Sequence, residues 1–195
     1  GRAGFLAETE AVIRDAANPD DLPALTSALA LVIGDEPAEQ IRLETEMFPS
    51  VYDDSDLPLR QLLESRFGTA GRDQLLDVFQ QAWVREADIE WLKNEGFNLV
   101  RVPIGYRTLV TNSDLSVPTE LVWNEAAFAR IDDLLDWCSD HGMYAILDIQ
   151  EAPGGQNNYS GESTLYSDPA MQALTVELWA ELSRRYTDRD EVAAY

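Results

Sequence analysis

Lysine is nearly missing from this chain. Of 14 basic residues only Lys93 is a lysine, against 36 acidic ones, and the formal net charge is −22. Such a field repels phosphate backbones and anionic head groups, so nucleic acid and membrane surfaces are excluded as partners on charge alone. The arginine bias and acidity suit a saline, extracellular or cell-surface setting. Cysteine occurs once, as Cys138, and histidine once, as His141. An internal disulfide is therefore impossible, and no Cys/His zinc set can form. No run of about 18 apolar residues is present for a membrane span. The opening Gly1-Arg2-Ala3-Gly4 has neither an initiator methionine nor a signal-peptide pattern and reads as a processed or clipped end. No glycine-rich phosphate loop follows any apolar run, which weighs against a nucleotide-binding doubly wound sheet.

What is present is apolar residue at regular spacing. With 195 residues, 45% of them hydrophobic, the chain can bury a substantial core. Residues 7–17 and 22–33 suit two short helices split by Asn18-Pro19-Asp20-Asp21, and residues 1–40 form a helical segment without a motif. An irregular loop over 47–58 and a helix over 59–67 follow. The residues Leu75, Leu76, Val78, Phe79, Trp83, Ile89, Trp91 and Leu92 then recur at helical spacing, and Gly96 closes that helix. Directly after it, residues 97–104 are a β-branched run ending on proline, the pattern of a buried parallel strand.

That grammar repeats. Phe128, Ile131, Leu134, Leu135 and Cys138 make the next helical stripe, His141-Gly142 ends it, and residues 144–149 are the next strand. A third unit begins at Ser167-Asp168-Pro169, continues through Leu174, Leu178, Leu182 and Tyr186, and enters an apolar strand at 191–195. Helix and strand in alternation predict a parallel sheet flanked by helices. Strands near 99–104, 145–150 and Val192 are expected side by side in that order with right-handed crossovers.

Two of these strands carry more than periodicity. The segment "FNLVRVPIGY" at 97–106 and the segment "YAILDIQEAPGGQN" at 144–157 resemble the second- and third-strand signatures of glycoside hydrolase family 5, the cellulase and β-glucanase type. The stretches "WVREADIEWLKNEGFN" and "LWAELSRRYTDRDEVAAY" resemble that family's helices leading into its second and fourth strands, and "LETEMFPSVYDD" at 43–54 resembles the stretch after its first. The resemblance covers roughly residues 43–195. It implies a (β/α)8 barrel of the TIM type, of which residues 41–195 are the N-terminal half, about strands 1–4. It also implies a retaining hydrolase of β-linked polysaccharide that needs no cofactor or metal. The family's two catalytic glutamates are expected beyond residue 195, the first in an Asn-Glu-Pro motif, so the chain alone is expected to be inactive and to depend on a missing C-terminal half. A full barrel of this kind runs to about 250 residues or more.

The resemblance also implies roles at particular positions. Arg101, set in an apolar strand, would hold the nucleophilic glutamate in its ionised form; the alternative is a helix-facing or structural arginine. Gln150 stands at the family's histidine position, and Glu151 where a small residue is usual. Glutamine there keeps hydrogen bonding but does not titrate near neutral pH. Glu151, Gln156 and Asn157 are candidate contacts to sugar hydroxyls. Tyr106, Tyr159 and Trp123 are candidate platforms for pyranose rings, whose C–H faces pack on aromatics. Asp148 is expected to order the loop 152–157 through backbone N–H groups. Trp83, Trp91, Trp137 and Trp179 read as helix packing, Glu46 carries no substrate contact, and His141 suits the carboxyl end of a helix dipole. The competing readings are a non-catalytic carbohydrate-binding relative, which Gln150 and Glu151 favour, and a different (β/α)8 enzyme.

Overall fold

The computed structural model describes residues 56–113, 116–156 and 163–195, together with residues 20 and 23. The expectations for residues 7–17, 24–33 and 43–54, and those for Glu46, Asn157 and Tyr159, lie outside the described residues. The chain divides into two compact units, Gly1–Val84 and Arg85–Tyr195.

In the first unit, helix α1 spans Asp56–Trp83 and is broken at Gly68, whose φ and ψ are not helical. Leu63, Phe67, Leu75 and Leu76 are its buried residues of apolar type. The periodic stripe from Leu75 to Leu92 is not one helix, as the spacing suggested, but two. Arg85 takes an extended backbone, and its N–H donates to Asp88 Oδ2 at 2.8 Å, starting a new helix α2 at Glu86–Asn94. A side-chain cap at that point offers the backbone N–H groups what a continuing helix would otherwise supply.

The second unit is a three-stranded parallel sheet in the order β1-β2-β3, with β1 at Leu99–Gly105, β2 at Tyr144–Glu151 and β3 at Val192–Ala194. The strands and their neighbours are those the sequence predicted. Helix α3, Tyr106–Leu109, is a single turn after β1; helix α4, Glu125–Asp140, leads to β2; helix α5, Pro169–Tyr186, leads to β3. Between α3 and α4 the chain closes on itself through an antiparallel bridge of Val110 with Trp123.

The helix endings repeat as closely as the sequence does. Past α2, Gly96 (φ 91°) bonds from its N–H to Lys93 O and Phe97 N–H to Leu92 O. Past α4, Gly142 (φ 62°) and Met143 do the same to Ser139 O and Cys138 O. This is the Schellman arrangement, in which glycine takes the left-handed position without a Cβ clash. Lys93 Nζ also donates to Gly142 O at 2.8 Å, joining the two helix ends. Asp168 accepts from Ala170 N–H at 2.8 Å and Pro169 opens α5, so both start signals act as expected.

Alternation along β2 divides the sheet into two faces. Ala145, Leu147 and Ile149 are buried with Ile104 of β1. Helices α4 and α5 supply Phe128, Ile131, Leu134, Leu135, Leu174, Leu178, Leu182 and Tyr186 to the same core. Trp91 departs from the expected helix packing: it is 59% exposed, because Ile89 is the α2 residue that turns inward.

Candidate active site

On the other face of the sheet the register sets Leu99 beside Tyr144, Arg101 beside Ile146 and Pro103 beside Asp148. Arg101, Asp148 and Gln150 alternate with the buried core positions and so stand on this second face. One guanidinium nitrogen serves two acceptors: Arg101 Nη2 donates to Asp148 Oδ2 and to Gln150 Oε1, each at 2.5 Å. Arg101 therefore leans along the strand toward its carboxyl end and away from the helices. Its side chain remains 58% exposed. The arrangement presents a guanidinium donor oriented by two acceptors, suited to holding a carboxylate or an oxygen-rich ligand.

The ladder is irregular at its carboxyl end. Ile104 pairs with Ile149, but Gly105 pairs with Glu151, leaving Gln150 as an extra residue on β2. Bulges of this type bend a strand and re-aim its side chains. Here Gln150 faces Arg101, while Glu151 turns to Arg107 in α3, with Oε1 3.7 Å from Arg107 Nε.

Arg107 gave no signal in the sequence, yet it is one of the most buried side chains of the unit. It donates from Nη1 to Ser113 O at 3.0 Å, and its guanidinium lies 4.9 Å from the centre of the Tyr106 ring. An arginine two residues past a strand in a polar stretch looks solvated; only the packing reveals it as interior. Tyr166 likewise stands in no sequence motif. It is 73% exposed, in the turn whose Thr164 N–H bonds Gly154 O at 2.7 Å, which sets it on the rim that follows β2.

The expected substrate contacts divide. Tyr106 is fully buried, so its ring has no face to offer a sugar, and the platform reading is corrected to a core role. Trp123 is half-buried and packs edge-on against Phe128, with ring centres 6.1 Å apart. Gln156 turns inward: its Oε1 accepts from Ala152 N–H at 3.3 Å and its Nε2 donates to Ile149 O at 3.4 Å. It thus performs the loop-ordering task expected of Asp148, whose carboxylate is engaged by Arg101 instead. Gly154 (φ 80°) belongs to the same loop, and a Cβ there would come within 2.6 Å of Met171 Cγ. His141 is the C-cap of α4, with Nε2 3.4 Å from Glu86 Oε1.

A parallel sheet flanked by helices, with a charged, hydrogen-bonding cluster near the carboxyl ends of its strands, defines an α/β class of fold in which ligand sites gather at that edge. Sequence comparison narrows the class. The profile described as Cellulase (glycosyl hydrolase family 5) matches residues 67–195, and the chain belongs to that family. Among curated proteins it is similar to a "Beta-xylosidase" of Phanerodontia chrysosporium, 28% identical over 159 residues, covering 78% of this chain and 32% of the relative. It is also similar to "Glucan 1,3-beta-glucosidase 2" of Saccharomyces cerevisiae, 30% identical over 132 residues, covering 60% of this chain and 24% of the relative. "Endoglucanase C" of Acetivibrio thermocellus is 30% identical over 113 residues, covering 58% of this chain and 32% of the relative. The chain spans a third or less of the length of these relatives.

Proposed function

We propose that residues 41–195 are the N-terminal portion, about strands 1–4, of a retaining (β/α)8 glycoside hydrolase acting on a β-glucan or related polysaccharide, with its acid/base and nucleophile glutamates beyond residue 195. The observation that carries this reading is the position of Arg101. It stands on the sheet face that a closed barrel would turn inward, leans to the carboxyl edge, and is held there by Asp148 and Gln150. Membership of the family and the β-glycosidase names of its relatives supply the reaction class.

Retention requires one protonated and one ionised carboxyl group about 5 Å apart. The two carboxylates nearest the cluster, Asp148 and Glu151, each face an arginine. Both are engaged within the chain, so the acid and the nucleophile are assigned to other carboxyl groups. In this reading Arg101 keeps the nucleophile ionised, Gln150 presents an amide where a titrating imidazole is usual in the family, and Asn157 and Tyr159 contact the sugar.

The test is reducing-sugar release from soluble β-glucan. The 195-residue chain should release none, whereas the chain continued through both glutamates should be active. Arg101→Met in that longer protein should lower kcat about 100-fold, the scale of losing one preorganised charge contact in an active site. Hydrolysis by the 195-residue chain that Glu151→Gln abolishes would overturn the assignment. Gln150 favours a second reading, a carbohydrate-binding relative without catalysis. Calorimetric binding of β-glucan oligosaccharides by a longer protein that never cleaves them would select it.

A further inference from the structure

We propose that the ion pair of buried Arg107 with partly buried Glu151 is a positioning device that holds the bulge of β2 and so aims Gln150 at Arg101. The importance of this for catalysis rests on the glycosidase reading above; the geometry does not.

Gln150 is the residue the ladder leaves without a mate opposite it, so pairing with β1 does not fix its direction. The residues on either side must do so. Ile149 is buried in the core, and Glu151 is drawn to Arg107, with side-chain exposures of 17% for the glutamate and none for the arginine. A charge in that environment stays close to its partner, because separating them leaves both poorly solvated.

Arg107 is the fixed member. Its Nη1 donates to Ser113 O at 3.0 Å, Ser113 Oγ donates back to Arg107 O at 3.3 Å, and the guanidinium stacks on the buried Tyr106 ring. Glu151 must come to it. Opposite Glu151 the ladder has Gly105, where even a Cβ would lie only 3.4 Å from Glu151 Oε2, so the carboxylate crosses the space glycine leaves free. With Glu151 turned toward α3, the alternation of the strand turns Gln150 the other way, where its Oε1 meets Arg101 Nη2 at 2.5 Å. Two arginines are thus linked through two adjacent residues of β2. Arg107 and Glu151 act as positioning residues rather than as contacts to substrate.

The side-chain amide signals of Gln150 in a ¹H–¹⁵N spectrum of the 195-residue chain report on the Arg101 contact directly, and Arg101→Met marks where they move when it is lost. Glu151→Gln, nearly isosteric, should displace the Gln150 signals to that same position while the Arg101 side chain is intact. Signals left in place while the unfolding midpoint falls would show a merely structural pair and overturn the proposal. If loss of the Glu151 charge prevents folding of Glu151→Gln, the double variant Arg107→Gln/Glu151→Gln removes both charges and is read in the same way. In the longer, active protein the positioning role predicts a drop of about tenfold in kcat with KM unchanged for Glu151→Gln. A longer protein inactive on β-glucan would count against the glycosidase reading and leave the amide measurement standing.

Discussion

Cys138 shows how packing sets chemistry at a single residue. It lies at the core face of α4 with no solvent exposure, and burial, with Glu191 nearby, pushes its thiol up to about 11. The thiolate is the reactive species, so a buried, high-pKa thiol is inert in the folded state. Native protein at pH 8 should therefore react with a thiol reagent far more slowly than protein in denaturant, by at least about 100-fold given that thiolate fraction falls tenfold per pH unit and access is blocked. Rapid single-phase labelling of the native chain would contradict this. Arg101 illustrates the reverse: its ion pair with Asp148 is exposed, and such pairs contribute only about 0–1 kcal/mol to stability. Its value is directional, which is why substitution should affect activity more than folding. From sequence, Arg101 was identifiable because a charged residue interrupts an apolar strand, and Gln150 only because it stands at the histidine position of the family the strand resembles. Arg107 was not, since its neighbours read as loop, and Tyr106 looked available because its burial is set by packing that the local sequence does not show.

At the scale of elements, α4 and α5 are joined by an ionic clamp as well as by their apolar stripes. Arg185 donates to Glu125 and Glu181, and its guanidinium lies 3.8 Å from the centre of the Phe128 ring. Hydrogen bonding by Arg184, with Arg185 adding to it, lowers the Glu181 carboxyl to about 2. A carboxylate depressed in the folded state contributes stability that is complete above its ordinary value near 4.5 and is lost as pH falls through about 2. After allowance for screening of the partly exposed network, the contribution is about 1–2 kcal/mol. Glu181→Gln should lower the unfolding midpoint at pH 6, and its difference from the parent should shrink between pH 4.5 and 2. A difference constant across that range would show that the Glu181 carboxylate does not stabilise α5.

For the whole molecule, a formal charge of −22 on 195 residues makes self-repulsion a general term in stability. The exposed carboxylates of α4 alone, Glu125, Asp132, Asp133, Asp136 and Asp140, lie within a Debye length of one another at low salt. Raising sodium chloride from about 0.01 to 1 M shortens that length from about 30 to 3 Å. The unfolding midpoint should therefore climb with salt. A midpoint that falls would mean that screening of ion pairs such as Arg185–Glu125 and Arg189–Asp136 outweighs the relief of repulsion.

The sequence by itself determined the local elements of the second unit. Apolar spacing, the stop glycines Gly96 and Gly142 and the start Asp168-Pro169 are each a matter of one turn of backbone, so they are legible without knowledge of the fold. Short β-branched strands separated by helices likewise leave parallel pairing as the workable arrangement. The tertiary structure decided what depends on residues far apart in the chain. The break of the long periodic stretch at Arg85 is an exception, a local cap from Asp88 three residues on that apolar spacing does not register. The tertiary structure gave Asp148 to Arg101 and the loop to Gln156. It placed a bulge at Gln150, which sets the direction of every side chain beyond it. Which partner a charged side chain meets, 44 residues away in the case of Arg107 and Glu151, is fixed by how the strands and α3 stack. No periodicity within either segment encodes that distance.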